Sequence, residues 1–326
     1  MSGRNPIYSG YSLPAALEVA LRRFGEWSDA QLLREQADVT PTVPLYHYTG
    51  RDALEGILRN RRLWCFSHDQ QDDKEEFQYS LALALADLER VAKHGDELAR
   101  EFAICVADLI AKNKLTRVFK FYLFSVSEKR DSETQWKQYG RDGTGFSVGF
   151  APKLFAPITP TLSPRANENA HLGRVVYGDS KTIYRHRKVI ERAAAITHQI
   201  ATVNRSLLRR EAVLIEYINA MAKEYIARQL IWRSLTAKRR CWEHQSEVRF
   251  VCLNRHANFD GIEKTFGGRR YIEYPLPPDC IAAIMIGSAA PKDTEADVAR
   301  LLNDHGFSGA MVTRSLKAPA VAVPAC

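Results

Sequence analysis

Apolar residues recur along the chain with two spacings, one typical of helices and one typical of strands. Where they recur every three or four positions, the spacing predicts helices over residues 14–27, 51–60, 77–114, 184–238 and 293–304. Gly95 interrupts the second longest of these segments, which indicates two packed helices there. The segment 184–238 is long enough for one long helix or two antiparallel helices.

Short runs rich in β-branched and aromatic residues lie between the helical segments. They predict strands over residues 43–49, 63–67, 117–127, 145–150, 174–177, 246–253, 270–274, 281–286 and 309–313. The helical segments between the strands differ widely in length. We therefore predict an α+β fold rather than a regular doubly wound sheet.

The same pattern suggests three parts along the chain. Residues 1–40 are predicted to form an N-terminal helical attachment, and residues 41–290 an α+β domain that carries the chemistry. Helical insertions interrupt this domain at about residues 77–114 and 184–238. Residues 291–326 are predicted to contain a C-terminal helix, a short strand and a frayed tail.

Composition is that of an ordinary globular protein, with 45% apolar and 26% charged residues in 326. This excludes disordered and fibrous classes. No apolar run approaches the roughly 20 residues of a membrane helix, and the first residues lack a secretory signal, so we expect a cytoplasmic protein with no membrane partner. The net charge of +8 favours an anionic partner such as nucleic acid or a phosphate-bearing cofactor, although a solvated basic face is the more common explanation.

Several chemistries lack their sequence signature. The six cysteines contain no C-x-x-C pair, and no glycine-rich phosphate loop follows a strand. Cys241 or Cys252 near His244 has no third group to orient a thiol nucleophile. The acidic residues of segment 72–76 suit either a metal ion or a turn that caps the next helix, and Lys74 among them favours the turn. We therefore predict no metal site.

Three blocks place polar side chains on one face of a predicted strand. Each has an ordinary structural explanation: a packed core histidine, buried serines bonded to backbone, and a solvated edge strand. Together they could also form the floor of a cleft. By strand alternation the polar residues are His47 and Thr49 in the first block, Ser125 and Ser127 in the second, and Gln245, Glu247 and Arg249 in the third.

The order and spacing of these blocks resemble the bacterial domain-of-unknown-function family 2971. The resemblance covers roughly residues 44–290. It is carried by Tyr46-His47-Tyr48-Thr49, by Asp72-Asp73 with Glu76-Phe77, by Trp136 and Tyr139 ahead of Gly145, and by Trp242 with Glu247 and Arg249.

A more distant resemblance is to ADP-ribosyltransferases, which share the order of an early His, a middle Ser-x-Ser and a late Gln-x-Glu. It implies a split, mostly antiparallel sheet with large helical insertions, and NAD as the substrate. By position, His47 would hold a ribose, Ser125 or Ser127 would brace the nicotinamide pocket, and Glu247 would be the main catalytic residue. Thr49 is a further candidate for binding NAD. Gln245 would influence the choice of acceptor. Enzymes of this kind that modify arginine usually have a Glu at this position, so Gln245 departs from the pattern for arginine acceptors.

The remaining candidates follow from what NAD needs. Tyr48, Trp136 and Tyr139 could stack on the nicotinamide ring, and Arg249, with Lys238 and Arg239, could meet the pyrophosphate. The resemblance thus implies an NAD-dependent ADP-ribosyltransferase that modifies a protein or nucleic acid, with toxin or phage-defence roles like those of related enzymes. A non-catalytic module that binds a nucleotide or RNA in the same cleft is the alternative.

Overall fold

A computed structural model describes nine stretches of the chain. The chain folds into two compact units. The helical unit comprises residues 1–33, 75–118 and 178–237, and the sheet unit comprises residues 34–74, 119–177 and 238–326. The described residues are 13–39, 41–68, 75–94, 97–111, 120–155, 170–203, 211–254, 261–277 and 279–322.

Nine α-helices lie in the described ranges, and none of them is long and apolar enough to cross a membrane. They are α1 (Ala15–Ala37), α2 (Arg51–Asn60), α3 (Glu75–His94), α4 (Glu97–Ala111), α5 (Glu133–Gln138), α6 (Asp179–Val203), α7 (Glu211–Met221), α8 (Ala227–Leu235) and α9 (Thr294–Asp304).

The strands of the described ranges are mostly short. They are β1 (Leu45–Thr49), β2 (Arg62–Ser67), β3 (Lys120–Ser127), β4 (Phe146–Phe150), β5 (Ala170–Arg174), β6 (Val176–Tyr177), β7 (Ala237–Lys238), β8 (Glu247–Asn254), β9 (Lys264–Phe266), β10 (Arg269–Pro275), β11 (Ile281–Ile286) and β12 (Met311–Arg314).

The helical unit is held together by an apolar core that contains a few polar pairs. Phe102 of α4 meets Tyr217 of α7 edge to face at 6.2 Å, and the Tyr217 hydroxyl lies 2.8 Å from that of Thr197. Arg187 of α6 donates to both carboxylate oxygens of Asp87 on α3. These bonds satisfy polar groups that would otherwise be costly to bury among apolar side chains.

The sheet unit contains one large sheet with the strand order β12-β11-β4-β1-β3-β2-β10-β9; β8 also pairs with β3, and β5 pairs with β8. All pairs in this sheet are antiparallel except β11 with β12. The predicted α+β class and mostly antiparallel sheet are therefore confirmed.

The two faces of the sheet have different characters. Residues directly opposite each other on antiparallel strands share a face, so the register assigns each side chain to one side. The core face is apolar and packs on Leu54 and Leu58 of α2 and on Val298 of α9. The opposite face, called here the outer face, carries Tyr46, Tyr48, Ser125, Ser127, Glu247 and Arg249.

Strand β3 shares one of its edges between two neighbours. It pairs with β8 through eight residues on one edge, from Lys120–Asn254 to Ser127–Glu247. On the other edge it pairs with β2 at Tyr122 and Leu123, and with β1 at Ser127. Within the described residues, positions 124–126 have no register partner on that edge, so the sheet opens there between β1 and β2.

The element predictions fail where the local signal is short or misleading. Helix α1 runs to Ala37, beyond its predicted end at residue 27, and the buried Ser28 hydroxyl within it accepts a bond from Gln229 of the same unit. Helix α5 and strands β5, β7 and β9 were not predicted, and β7 lies at the end of the segment 184–238 that we expected to be helical. All three residues of β9 are exposed, so this strand has no apolar alternation to detect.

We predict opposite effects for two glycine substitutions in the sheet unit. A Cβ at Gly145 would collide with the backbone carbonyl oxygens of Thr49 and Gly140, whereas a Cβ at Gly56, within α2, would meet nothing within 4 Å. Gly145→Ala should lower the free energy of unfolding by about 2 kcal/mol or more, as overpacking does. Gly56→Ala should raise it by up to about 1 kcal/mol, because alanine favours helices. Urea titrations would measure both, and an unchanged midpoint for Gly145→Ala would contradict the close contact of this position with the Thr49 and Gly140 carbonyls.

Candidate functional site

The centre of the candidate site is the carboxylate of Glu247, the first residue of β8. Lys238 Nζ lies 2.6 Å from Oε2, and Arg249 Nε lies 2.8 Å from Oε1. Glu247 is only 5% exposed, and its two partners are buried as well. Three charged groups therefore share one largely water-free position on the outer face of the sheet.

These neighbours determine the charge state of Glu247. Burial alone would raise the pKa of its carboxyl group, but the charges of Arg249 and Lys238 outweigh burial and hold the pKa well below its usual range. The carboxylate is therefore ionised at neutral pH. Together the three groups carry a charge of +1, the sum of two cations and one anion, which suits an anionic ligand better than a cation.

Gln245 is tied to the same ammonium group as Glu247. Lys238 Nζ donates to Gln245 Oε1 at 2.9 Å, and Gln245 Nε2 donates to Gln138 and to the Tyr139 hydroxyl at 3.1 Å each. The alternation pattern suggested that Gln245 lies on the strand, but it lies before β8. It ends a 3₁₀ turn, and Ser246 in the left-handed region (φ 44°) separates that turn from β8.

Ser127 connects β3, called here the serine strand, to this turn. Its hydroxyl donates to the carbonyl of Gln245 at 2.6 Å and accepts the backbone N–H of Lys129 at 3.0 Å. Ser127 lies opposite Glu247 and Ser125 opposite Arg249, so all four residues share the outer face. The structure thus brings the second and third predicted blocks together.

Two groups of the site were missed by sequence reasoning. The Tyr177 hydroxyl accepts the backbone N–H of Glu247 at 2.8 Å, and Gln135 Nε2 donates to the Gln245 carbonyl at 3.1 Å. Burial, with a further contribution from the Glu247 charge, raises the pKa of Tyr177 well above its ordinary value, so the phenol stays neutral. The strand at residues 174–177 was predicted, but nothing in its pattern marks Tyr177 as part of the site. Gln135 lies in a six-residue helix that was not predicted.

The three predicted aromatic candidates occupy different surroundings. Trp136 is fully buried, packs edge to face on Tyr48 at 4.9 Å and donates to Asp131 at 2.7 Å. The Tyr48 hydroxyl donates to the Lys129 carbonyl and accepts the Ser132 N–H, both at 2.9 Å. Tyr139 is 37% exposed and contacts Gln245. Of the three, Tyr139 has the ring that a ligand could reach.

His47 lies at the opening of the sheet between β1 and β2, beside residues 124–126 of β3. Its Nδ1–H donates to the Ser125 carbonyl at 2.9 Å, which fixes the tautomer because a carbonyl can only accept, and its ring lies 4.6 Å from Phe124. Burial lowers the pKa of His47, so its imidazole is neutral at pH 7. The side chain therefore compensates for a strand pairing that is interrupted at this point.

The structure does not bring His47 together with Ser127 and Glu247, contrary to the expected convergence. In the register, Tyr46 lies opposite Ser127, which in turn lies opposite Glu247, so these three share the outer face. His47 lies opposite Val148 and follows Tyr46 in the strand, which places it and Thr49 on the core face. Thr49 is buried there, 7% exposed.

No group of three or more His, Cys, Asp or Glu side chains within the described ranges is arranged to hold a metal ion. Asp72 and Asp73, which contributed to the family resemblance, lie outside the described residues.

A family model described as "Protein of unknown function (DUF2971)" matches residues 135–250. The match contains Trp136, Tyr139, Gln245, Glu247 and Arg249, and it supports the family resemblance found in the sequence. Comparison with curated proteins and with solved structures gave no significant match.

We predict that Glu247 makes stability depend on pH in the acidic range. Because its pKa is lower in the folded than in the unfolded chain, where it is about 4.3, the stabilisation is complete above that value and is lost as the pH falls towards the folded pKa. The difference in unfolding free energy between the wild type and Glu247→Gln should therefore shrink below about pH 5. Urea titrations from pH 7 to the lowest pH at which both chains fold would measure it, with Glu243→Gln as the control. A difference that is constant with pH would contradict the ionised carboxylate.

Removal of the shared ammonium should be much more costly than removal of an exposed one. Lys238→Met leaves Glu247 buried with one cation, and loss of one partner of a buried pair typically costs about 3–5 kcal/mol. Lys153→Met removes an exposed lysine that lies 3.6 Å from Asp279 and should cost under about 1 kcal/mol. Thermal unfolding of both variants would make the comparison, and equal losses would show that Lys238 does not hold the site together.

Proposed function

We propose that the chain transfers ADP-ribose from NAD to a macromolecular acceptor, with Glu247 as the catalytic carboxylate. The observation that carries the proposal is the ionised Glu247 carboxylate, fixed by Lys238 and Arg249 on the outer face beside Gln245. This is the pairing of a late Glu with a Gln two residues earlier on which the resemblance to ADP-ribosyltransferases rests.

The reaction explains why a fixed negative charge would be useful. The bond between C1′ of the ribose and the nicotinamide nitrogen breaks, and its electron pair leaves with nicotinamide. The acceptor's nucleophile bonds to C1′ and loses its proton to solvent. Positive charge develops on the sugar in between, as in glycoside hydrolysis. A preorganised carboxylate stabilises this charge most strongly in the transition state.

Glu247 keeps the capacity for one more hydrogen bond. Its two oxygens offer about four lone-pair positions, and the described contacts from Lys238 and Arg249 use three. A ribose hydroxyl could donate to the remaining position. Tyr139 is the accessible ring for nicotinamide, and Lys238 and Arg249 supply charge for the pyrophosphate.

The finer fold and the role of His47 belong to the same proposal. The opening of the sheet beside β3 supports an ADP-ribosyltransferase-like split sheet. His47 bonds the Ser125 carbonyl at that opening, so we assign it a positioning role, holding the serine strand, in place of direct contact with the ribose. A cytoplasmic location and a toxin or phage-defence role stay predictions.

One observation favours the second candidate, a non-catalytic module that binds a nucleotide or RNA. The Glu247 carboxylate is paired with two cations at once, which is also how a purely structural buried carboxylate is stabilised. In that case the excess charge of +1 would attract phosphate, and Glu247 would only orient Lys238 and Arg249.

Nicotinamide release separates the two candidates. With NAD and a bacterial lysate, the wild type should release nicotinamide and label an acceptor, and Glu247→Gln should lower the rate on the order of 100- to 1000-fold while it still binds NAD. The control Glu243→Gln changes an exposed glutamate in the preceding turn and should keep full activity. No nicotinamide release by the wild type in any of several lysates would contradict the enzyme and leave the binding module.

A further inference from the structure

We infer that the outer face of β2, β9 and β10 binds single-stranded nucleic acid. This surface, called here the aromatic surface, belongs to the sheet unit and is not used by the site around Glu247. Its side chains share one face because they lie opposite one another in the register. They are Arg62, Trp64 and Phe66 of β2, Lys264 and Phe266 of β9, and Arg269, Tyr271 and Glu273 of β10.

The four rings of the aromatic surface are held by one another. Trp64 stacks on Tyr271 with centroids 4.3 Å apart and planes at 25°, and Phe266 lies 5.2 Å from Trp64. The ring centres of Phe66 and Trp64 are 6.3 Å apart, and the Arg269 guanidinium lies 4.4 Å from the centre of the Phe66 ring. A ring set of this kind is a rigid platform whose π-faces suit another flat ring.

The edge of the platform is presented to solvent. Phe266 is 63% exposed, although it is a large apolar side chain, and Trp64 and Phe66 are partly exposed. Gly267 and Gly268, both with positive φ, form the two-residue turn that joins β9 to β10 and places Phe266 opposite Arg269. A nucleobase could stack on Phe266 without any rearrangement of the backbone.

The charge of the aromatic surface selects the ligand. Its side chains include three cations and one carboxylate, Glu273, which is paired with Lys264 at 2.9 Å. Arg62 and Lys264 are exposed, so phosphates could reach them, and the chain as a whole carries +8. Stacking rings bordered by cations are the usual means of binding single strands, whereas the paired bases of a duplex offer no free faces.

The aromatic surface and Glu247 lie on the same face of one sheet. Phe66 is opposite Leu123 in β3, and Leu123 alternates in phase with Ser125 and Ser127, which lie opposite Arg249 and Glu247. A strand bound on the aromatic surface could thus extend towards the carboxylate as an acceptor. The binding itself does not rest on the proposed transferase activity.

Fluorescence anisotropy without NAD tests the inference. A labelled single-stranded DNA or RNA of about 15 nucleotides should bind more tightly than a duplex of equal length. Phe266→Ala should weaken the binding about 5- to 150-fold, the range expected for one stacked base, whereas Phe266→Tyr should keep the affinity of the wild type. Tyr184→Ala, which removes another exposed ring beside a lysine, should leave the affinity unchanged.

Salt dependence supplies a second readout. Arg62→Gln should reduce the slope of log affinity against log salt by about 0.7, the value for one phosphate contact on a single strand. Equal affinity for single strands and duplex, unaffected by Phe266→Ala, would overturn the inference in favour of non-specific attraction. The absence of any binding would overturn it as well. If the chain then dimerised and Phe266→Ala abolished the dimer, the aromatic surface would instead be a contact surface for a second copy of the chain.

Discussion

The site depends on one buried electrostatic arrangement, in which Lys238 and Arg249 hold the Glu247 carboxylate. Removal of three charges from water is expensive, and their mutual attraction offsets this cost only when the geometry is good and the remaining polar atoms are bonded. Both conditions are met here, since Lys238 also bonds Gln245. The turn before β8, the serine strand and the loop after β3 are all connected to this cluster.

The two faces of the sheet divide structural and chemical roles. The core face contains the apolar side chains that pack on α2 and α9, together with the neutral His47. The outer face contains the charged cluster and, on neighbouring strands, the aromatic surface. Because alternate residues of one strand serve both faces, the strands that build the core also position the chemistry.

Much of the architecture could be predicted from the sequence, because long helices and half-buried strands leave periodic patterns. Alternation correctly placed Ser125 with Ser127, and Glu247 with Arg249, on one face of each strand, because it depends only on the local sequence. The position of His47 could not be predicted, because alternation within β1 does not reveal which face meets its neighbour. That depends on the register between Tyr46 and Ser127, which is set by tertiary packing. Gln245 was placed on the strand because nothing in the sequence marks Ser246 as left-handed.

The most direct test of the central claim is a crystal structure of the chain with a non-hydrolysable NAD analogue. The account predicts that the nicotinamide ribose lies on the outer face, with one of its hydroxyls donating to the Glu247 carboxylate and the ion pairs to Lys238 and Arg249 intact. An analogue bound on the core side of the opening next to His47, with Glu247 out of contact, would contradict it.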